Sequence, residues 1–101
     1  MGAYMKVDQR KKVSDFQEDF KAEFGVGIRV YSSMNKGANK AGDVALHTLN
    51  EAGTKGGDID FGGNTKVRNV EDAFKAFGIQ VQVENKEGGL ADNEATLASL
   101  K

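Results

Sequence analysis

The sequence predicts an α/β fold, a two-layer sandwich in which helices cover one face of a single sheet of about four strands. The chain contains nearly the same phrase twice, FKAEFGVGIRVY at residues 20–31 and FKAFGIQVQV at residues 74–83. Before each FG, apolar residues recur at helical spacing. After each FG, apolar and polar residues alternate, which is typical of a strand with one buried and one polar face.

An internal duplication accounts for the repeated phrase and covers nearly the whole chain. A shift of 53 residues places Phe24 on Phe77, and a shift of 54 places Val13 on Val67, because the second copy lacks a counterpart of Glu23. Several elements match in the same order, so we predict two similar units related by a pseudo-two-fold axis. Unit 1 spans about residues 3–53 and unit 2 about residues 57–101, within one domain of residues 1–101.

Each unit reads strand, helix, strand, helix. The apolar residues of the short leading strands are Met5 and Val7 in unit 1, and Ile59 and Phe61 in unit 2. A strand–helix–strand crossover favours parallel, right-handed pairing, so we expect the two strands of one unit to pair in parallel.

The long helix of each unit follows the leading strand. Ser14, with Gln17 three residues later, predicts a capped helix start in unit 1, and Asn69 predicts the start in unit 2. The predicted buried stripes are Val13, Phe16, Phe20 and Phe24 in unit 1, and Val70, Phe74 and Phe77 in unit 2.

Gly25 and Gly78 stand where each long helix meets its second strand. A glycine at this joint could let the backbone approach a ligand. We interpret both as left-handed helix C-caps, because that also explains the Phe before and the β-branched residue after each glycine. Asp43 and the Asp92-Asn93 pair predict two closing helices, near residues 43–51 and 92–100.

Composition limits the range of functions. A chain of 101 residues with 39% hydrophobic and 29% charged residues is typical of a soluble globular domain. The absence of cysteine excludes disulfides and thiolate metal sites, and a net charge of −1 gives no overall attraction to nucleic acid or an anionic membrane. No apolar segment is long enough for a signal peptide or a membrane span, so we expect a cytoplasmic protein without a membrane partner.

The phrases FGVGIRVY and ADNEATLASL resemble a group of small uncharacterised bacterial domains with the pattern FGxx(I/L)RVY followed by ADxxxTLxS. The resemblance covers most of both units and implies their fold, without implying an activity. Unit 1 lacks the second half of the second motif, so a role for that segment is not carried over to unit 1. Unit 2 keeps Ala91, Asp92, Thr96, Leu97 and Ser99 of it.

The polar face of the predicted sheet is the first candidate site. Arg29 and Tyr31 lie on this face in unit 1, and Gln80 and Gln82 lie on it in unit 2. Arginine and tyrosine anchor many protein interfaces, and glutamine is neutral enough to be covered at low cost. Single-stranded nucleic acid is the alternative partner, through Arg29, Tyr31 and the basic segment 10–12. The excess of positive charge that nucleic-acid binding requires is nearly absent from the sequence.

The loop of residues 32–43 is the second candidate, as a site for a small anionic ligand. It contains Lys36 and Lys40 and follows the carboxyl end of a strand, where α/β proteins tend to bind ligands. A phosphate-binding P-loop would need Lys and then Ser or Thr after Gly42, where this chain has Asp43 and Val44. We therefore favour a polar surface loop.

Metal binding and catalysis lack a convincing set of residues. Asp43, His47 and Glu51 lie at helical spacing, and Asp58 and Asp60 lie on one side of a strand. Each set is also what a solvated surface or a charged edge strand presents. We therefore expect no metal and no cofactor, and predict a non-catalytic binding or assembly module. Its partner is another protein or a second copy of the chain.

Overall fold

The computed structural model describes residues 4–32, 37, 39–49 and 59–100. These residues form a mixed α and β structure with two α-helices, four strands and two short 3₁₀ helices. In chain order the elements are β1 (Tyr4–Val7), α1 (Val13–Phe24), β2 (Ile28–Val30), a first 3₁₀ helix (Leu46–Leu49), β3 (Ile59–Gly62), α2 (Val67–Lys75), β4 (Val81–Val83) and a second 3₁₀ helix (Leu97–Leu100).

The strands pair differently from the sequence prediction. The described strands form two separate two-stranded antiparallel sheets, β1 with β3 and β2 with β4, instead of one four-stranded sheet. The expected parallel pairing within a unit is wrong, because each strand takes its hydrogen-bond partner from the other unit. The crossover rule applies only where both strands of the crossover enter the same sheet.

The register brings equivalent residues of the two units face to face. Lys6 lies opposite Asp60 in the β1–β3 pair, with two residue pairs on one side and one on the other. Arg29 lies opposite Gln82 at the middle of the β2–β4 pair, with one residue pair on each side. Neither sheet can therefore form from one unit alone.

The two long helices begin earlier than predicted. Val13 and Val67 are their first residues, and the extended residues before them, Lys12 and Lys66, make no side-chain cap. The first-turn N–H groups bind distant carbonyls instead. Val13 N–H donates to Val44 O at 2.9 Å, and the equivalent Val67 N–H donates to Ala95 O at 2.8 Å. Tertiary contacts thus replace the local caps predicted at Ser14 and Asn69.

The predicted closing helices are also wrong in kind and length. The described parts of residues 43–51 and 92–100 contain four-residue 3₁₀ helices that begin at Leu46 and Leu97, and residues 50 and 51 lie outside the described part. Single bridges, Lys12 with Ala45 and Lys66 with Thr96, hold the segments just before them. Carbonyl groups of these segments accept hydrogen bonds from the N-termini of α1 and α2. These carbonyls are then not available for α-helical hydrogen bonds within the segments.

One hydrophobic core joins both sheets and both helices. Five phenylalanines form its centre, and ring centroids 5.4 Å apart join Phe16 of α1 to Phe74 of α2. Phe61 of β3 contacts Phe20, Phe24 and Phe74, so the rings connect the two units directly. The predicted buried strand faces are confirmed, since the alternate residues of every strand are buried. Among the described residues, no helix is long and apolar enough to cross a membrane.

The predicted glycine C-cap is confirmed at Gly25 and is wrong at Gly78, because α2 ends with Ala76, in the right-handed region, as its C-cap. Gly25 ends α1 with φ 78°, and its N–H donates to Lys21 O at 2.8 Å. Gly78 has the same φ, 78°, at the end of the turn that follows α2, and its N–H donates to Lys75 O at 2.9 Å. Both helix-to-strand joints therefore use the same left-handed residue.

Replacing either left-handed glycine should destabilise the protein. We expect Gly25→Ala and Gly78→Ala each to lower the free energy of unfolding by about 1 kcal/mol or more, because alanine is strained at positive φ. Gly42→Ala is the control, since its φ is not positive and a Cβ there meets no atom within 4 Å. Urea denaturation measures all three variants. Equal effects at the three positions would contradict a requirement for glycine at the two helix-to-strand joints.

Candidate binding surface

The second sheet presents a polar face that points away from the core. We call this surface, on β2, β4 and the residues beside them, the polar face. Two backbone hydrogen bonds of 2.9 Å fix its ends, from Tyr31 N–H to Gln80 O and from Glu84 N–H to Gly27 O. Its residues are Gly27, Arg29, Tyr31, Gln80, Gln82 and Glu84.

Side chains cross-link the two strands on the polar face. The Arg29 Nε–H donates to Glu84 Oε2 at 3.0 Å, and an Nη2–H of Arg29 donates to Gly88 O at 3.0 Å. The Tyr31 hydroxyl donates to Gln82 Oε1. Hydrogen bonding to Glu84, and then to Tyr31, raises the pKa of Arg29. The structure thus brings Arg29, Tyr31 and Gln82 together on one face, with Glu84 beside them.

Gly27 makes room for the Glu84 carboxylate. A Cβ at position 27 would overlap Glu84 Oε1, so Glu84 can lie across β2 only because residue 27 lacks a side chain. The counterpart of Gly27 in unit 2 is Gln80, and this difference between the units was present in the sequence. The structural consequence of this difference depends on the antiparallel register of β2 and β4, which the sequence did not predict.

A short hairpin borders the polar face on each side. Lys40 bridges to Tyr31, and Leu90 bridges to Glu84, both antiparallel. Leu90 is 50% exposed, which makes it an apolar side chain at the rim of the polar face. Lys40 is exposed, and Lys36, the other basic residue of the predicted anion site, lies outside the described residues.

The basic segment 10–12 is largely neutralised within the protein. Arg10 pairs with Asp8 at 3.0 Å, and this contact lowers the pKa of Asp8 to about 2. Lys11 pairs with Asp19 on α1, and the same contact raises the pKa of Lys11. These pairs lie on the surface and leave little positive charge for a phosphate backbone.

Asp43 and Asp60, the described aspartates of the sets considered from the sequence, accept hydrogen bonds from hydroxyl groups of the protein. Asp43 accepts hydrogen bonds from the hydroxyl and N–H of Ser14, at 2.8 and 3.2 Å, and these bonds lower its pKa. Asp60 accepts a hydrogen bond from the Tyr4 hydroxyl at 2.7 Å. Glu51 and Asp58 lie outside the described residues, and within the described ones no group of three or more potential ligands could hold a metal ion.

Two grooves between a helix and a strand were missed by the sequence analysis. One lies between α1 and β2, where the Gln17 amide donates to Ile28 O at 3.0 Å. The other lies between α2 and β4, has a volume of about 340 Å³, and includes Glu71, the counterpart of Gln17. Burial is the main cause of a raised pKa at Glu71. The Gln-to-Glu difference between the units was the signal that could have identified this groove.

Adding a methyl group at Gly27 should separate Arg29 from Glu84. In Gly27→Ala the new Cβ displaces the Glu84 carboxylate while the flexible side chain moves aside, so we expect the fold to persist. The Arg29 Nε–H then loses its acceptor and exchanges faster with water, which a ¹H–¹⁵N spectrum of the arginine side chain detects. Gly89→Ala, beside Asn85, is the control. An unchanged Nε–H signal in Gly27→Ala would refute this arrangement.

Comparison with known proteins gives no indication of function, so a functional proposal rests on the structure. The chain matches no protein-family model, no curated protein and no solved structure.

Proposed function

We propose that this protein is a non-catalytic binding module whose polar face contacts another protein. One observation carries the proposal: Arg29, Tyr31, Gln82 and Glu84 form a cross-linked surface that points away from the core, with exposed Leu90 at its rim. Arginine and tyrosine are enriched among residues that dominate interface energies. An apolar residue beside them supplies area that binding removes from water.

The hydrogen bonds on the polar face favour a protein partner because they order the surface before binding. Arg29 is held by Glu84 and Gly88, so little side-chain entropy remains to be lost when a partner covers it. The side chains of Arg29 and Glu84 are 29% and 27% exposed, which leaves their outer surfaces available.

The same contacts argue against nucleic acid. Glu84 offsets the charge of Arg29, and Tyr31 is directed toward Gln82 instead of standing free as a stacking platform. The acidic partners of Arg10 and Lys11 reduce the remaining positive potential. A near-neutral, pre-ordered face is suited to a protein surface of similar polarity.

The proposal includes a duplicated origin for the fold, with a pseudo-two-fold axis passing through both sheets. Supporting it, Lys6 faces its counterpart Asp60, and Arg29 faces its counterpart Gln82. Two copies of unit 1 paired in this way would place Lys6 against Lys6 and Arg29 against Arg29. Like charges directly opposite destabilise a strand pair, so these positions favour pairing between unlike units.

A photo-cross-linker tests the polar face. We expect benzoylphenylalanine at Leu90 to give discrete protein adducts in cells, and the same residue at Val44, an exposed position outside the face, to give different ones. Arg29→Glu in the Leu90 derivative should abolish the adducts, because it places a second carboxylate beside Glu84. A self-adduct would identify the partner as a second copy, and sedimentation equilibrium would then show a dimer.

Circular dichroism of Arg29→Glu provides the folding control, since Arg29 lies outside the core. Identical adducts from positions 90 and 44, or adducts that survive Arg29→Glu in a folded protein, would overturn the proposed function.

A further inference from the structure

The outer edge of β4 is open along its first half. Gln80 and Gln82 direct their backbone groups toward β2, so Val81 directs its N–H and C=O to the opposite side. Among the described residues, neither group of Val81 has a hydrogen-bond partner. The Ile79 C=O is likewise unpaired there, while its N–H donates to Phe74 O at 3.1 Å. Three backbone groups in succession are thus available to a further strand.

The second half of the same edge is closed by the protein itself. Ala91 N–H donates to Val83 O at 2.9 Å, so the hairpin after β4 occupies this part of the edge. The Val83 backbone interacts with the Glu71 carboxyl and lowers its pKa, against the rise that burial causes. A strand added at Val81 would therefore lie beside the beginning of β4 and end where this hairpin begins.

The corresponding edge of β2 is capped at the equivalent position. Ile28 is the counterpart of Val81, and its C=O accepts a hydrogen bond from the Gln17 amide. Glu71 replaces Gln17 in unit 2, and an ionised carboxylate has no hydrogen to donate to a carbonyl. A single side-chain difference thus caps the Ile28 carbonyl in unit 1 and leaves the Val81 carbonyl without an equivalent cap in unit 2.

Helix α2 forms the opposite wall of the groove beside this edge. Glu71, Asp72 and Lys75 line that wall, and Ile79 to Gln82 line the other, around a volume of about 340 Å³. The three charged residues carry a net charge of −1 at neutral pH. A groove with a free strand edge on one side and a helix on the other accommodates an extended peptide.

We propose that this groove binds an extended, cationic peptide segment of another protein, which adds a strand to β4 at Val81 and places a Lys or Arg against Glu71 and Asp72. The site borders the polar face at Gln80 and Gln82, but it does not use Arg29, Tyr31 or Glu84. The peptide supplies a carbonyl for Val81 N–H and N–H groups for the carbonyls of Val81 and Ile79. Its cationic side chain offsets the half-buried Glu71 carboxylate, which has Asp72 beside it on the same wall of the groove.

Charge distinguishes this occupant from a second copy of the chain. Antiparallel pairing of two β4 edges about Val81 would bring the Glu71–Asp72 wall of one molecule toward that of the other. The resulting repulsion between like charges disfavours self-association at this edge. A basic peptide receives attraction from the same residues.

Three matched peptides test the site on the full ¹⁵N-labelled chain. The first is a capped seven-residue peptide of alternating Val and Thr with a central Lys. The second has Glu in place of Lys, and the third keeps Lys but carries N-methyl groups on the residues that would donate to β4. We expect the first to shift the Val81 amide saturably, and the others to bind at least about tenfold more weakly, a loss of about 1.4 kcal/mol.

Two variants separate the mechanism from general charge attraction. In Glu71→Gln we expect the new amide to cap Val81 C=O as Gln17 caps Ile28 C=O, and affinity for the Lys peptide to fall at least about tenfold. Glu18→Gln removes the same charge from the other groove and should leave affinity unchanged. Arg29→Glu should also leave it unchanged, which distinguishes failure of this site from failure of the polar face.

Several results would overturn the proposal. These are equal affinity for the Lys and Glu peptides, binding that survives N-methylation, the absence of any saturable shift at Val81, and equal losses in Glu71→Gln and Glu18→Gln. A Val81 shift that depends on protein concentration alone would assign the edge to a second copy of the chain instead.

Discussion

Each strand of this protein finds its hydrogen-bond partner in the other unit, and the remaining architecture depends on that constraint. Antiparallel pairing places Lys6 opposite Asp60 and Arg29 opposite Gln82. It also directs the buried sides of all four strands toward the same set of phenylalanine rings. Because one unit leaves its strands unpaired, burial of the core and pairing of the strands must occur together. Folding of the two units is therefore expected to be a single cooperative step.

The two surfaces that we connect with binding both arise where the units differ. On the polar face, Gly27 admits the Glu84 carboxylate, which then holds Arg29. At the outer edges, Gln17 caps the Ile28 carbonyl of β2, whereas an ionised Glu71 cannot donate to the Val81 carbonyl of β4. Residues shared by the units form the core and the helix ends. Two units of similar sequence can in this way share one packing pattern while two surfaces of the protein have separate properties.

Features that depend on neighbouring residues could be predicted from the sequence, whereas features that depend on distant residues could not. The C-cap at Gly25 was identifiable because a left-handed cap depends on neighbouring residues only, whereas Gly78 has the same φ but lies beyond the C-cap of α2. Alternation along the strands likewise predicted which side chains are buried. The starts of α1 and α2 were misplaced because distant carbonyls, such as Val44 O, replace a local cap. The partner of Arg29 and the open edge at Val81 depend on the strand register, which alternation alone does not determine.

Amide hydrogen exchange of the unliganded protein tests the central claim, that cross-unit pairing builds the second sheet and leaves the edge of β4 open. The amides of Tyr31 and Glu84, one in each unit, donate across the β2–β4 pair. We predict that both exchange only through global unfolding and with the same free energy. The Val81 amide, which points to the open edge, should exchange orders of magnitude faster. Equal protection of Val81 and Tyr31, or different opening free energies for Tyr31 and Glu84, would contradict the account.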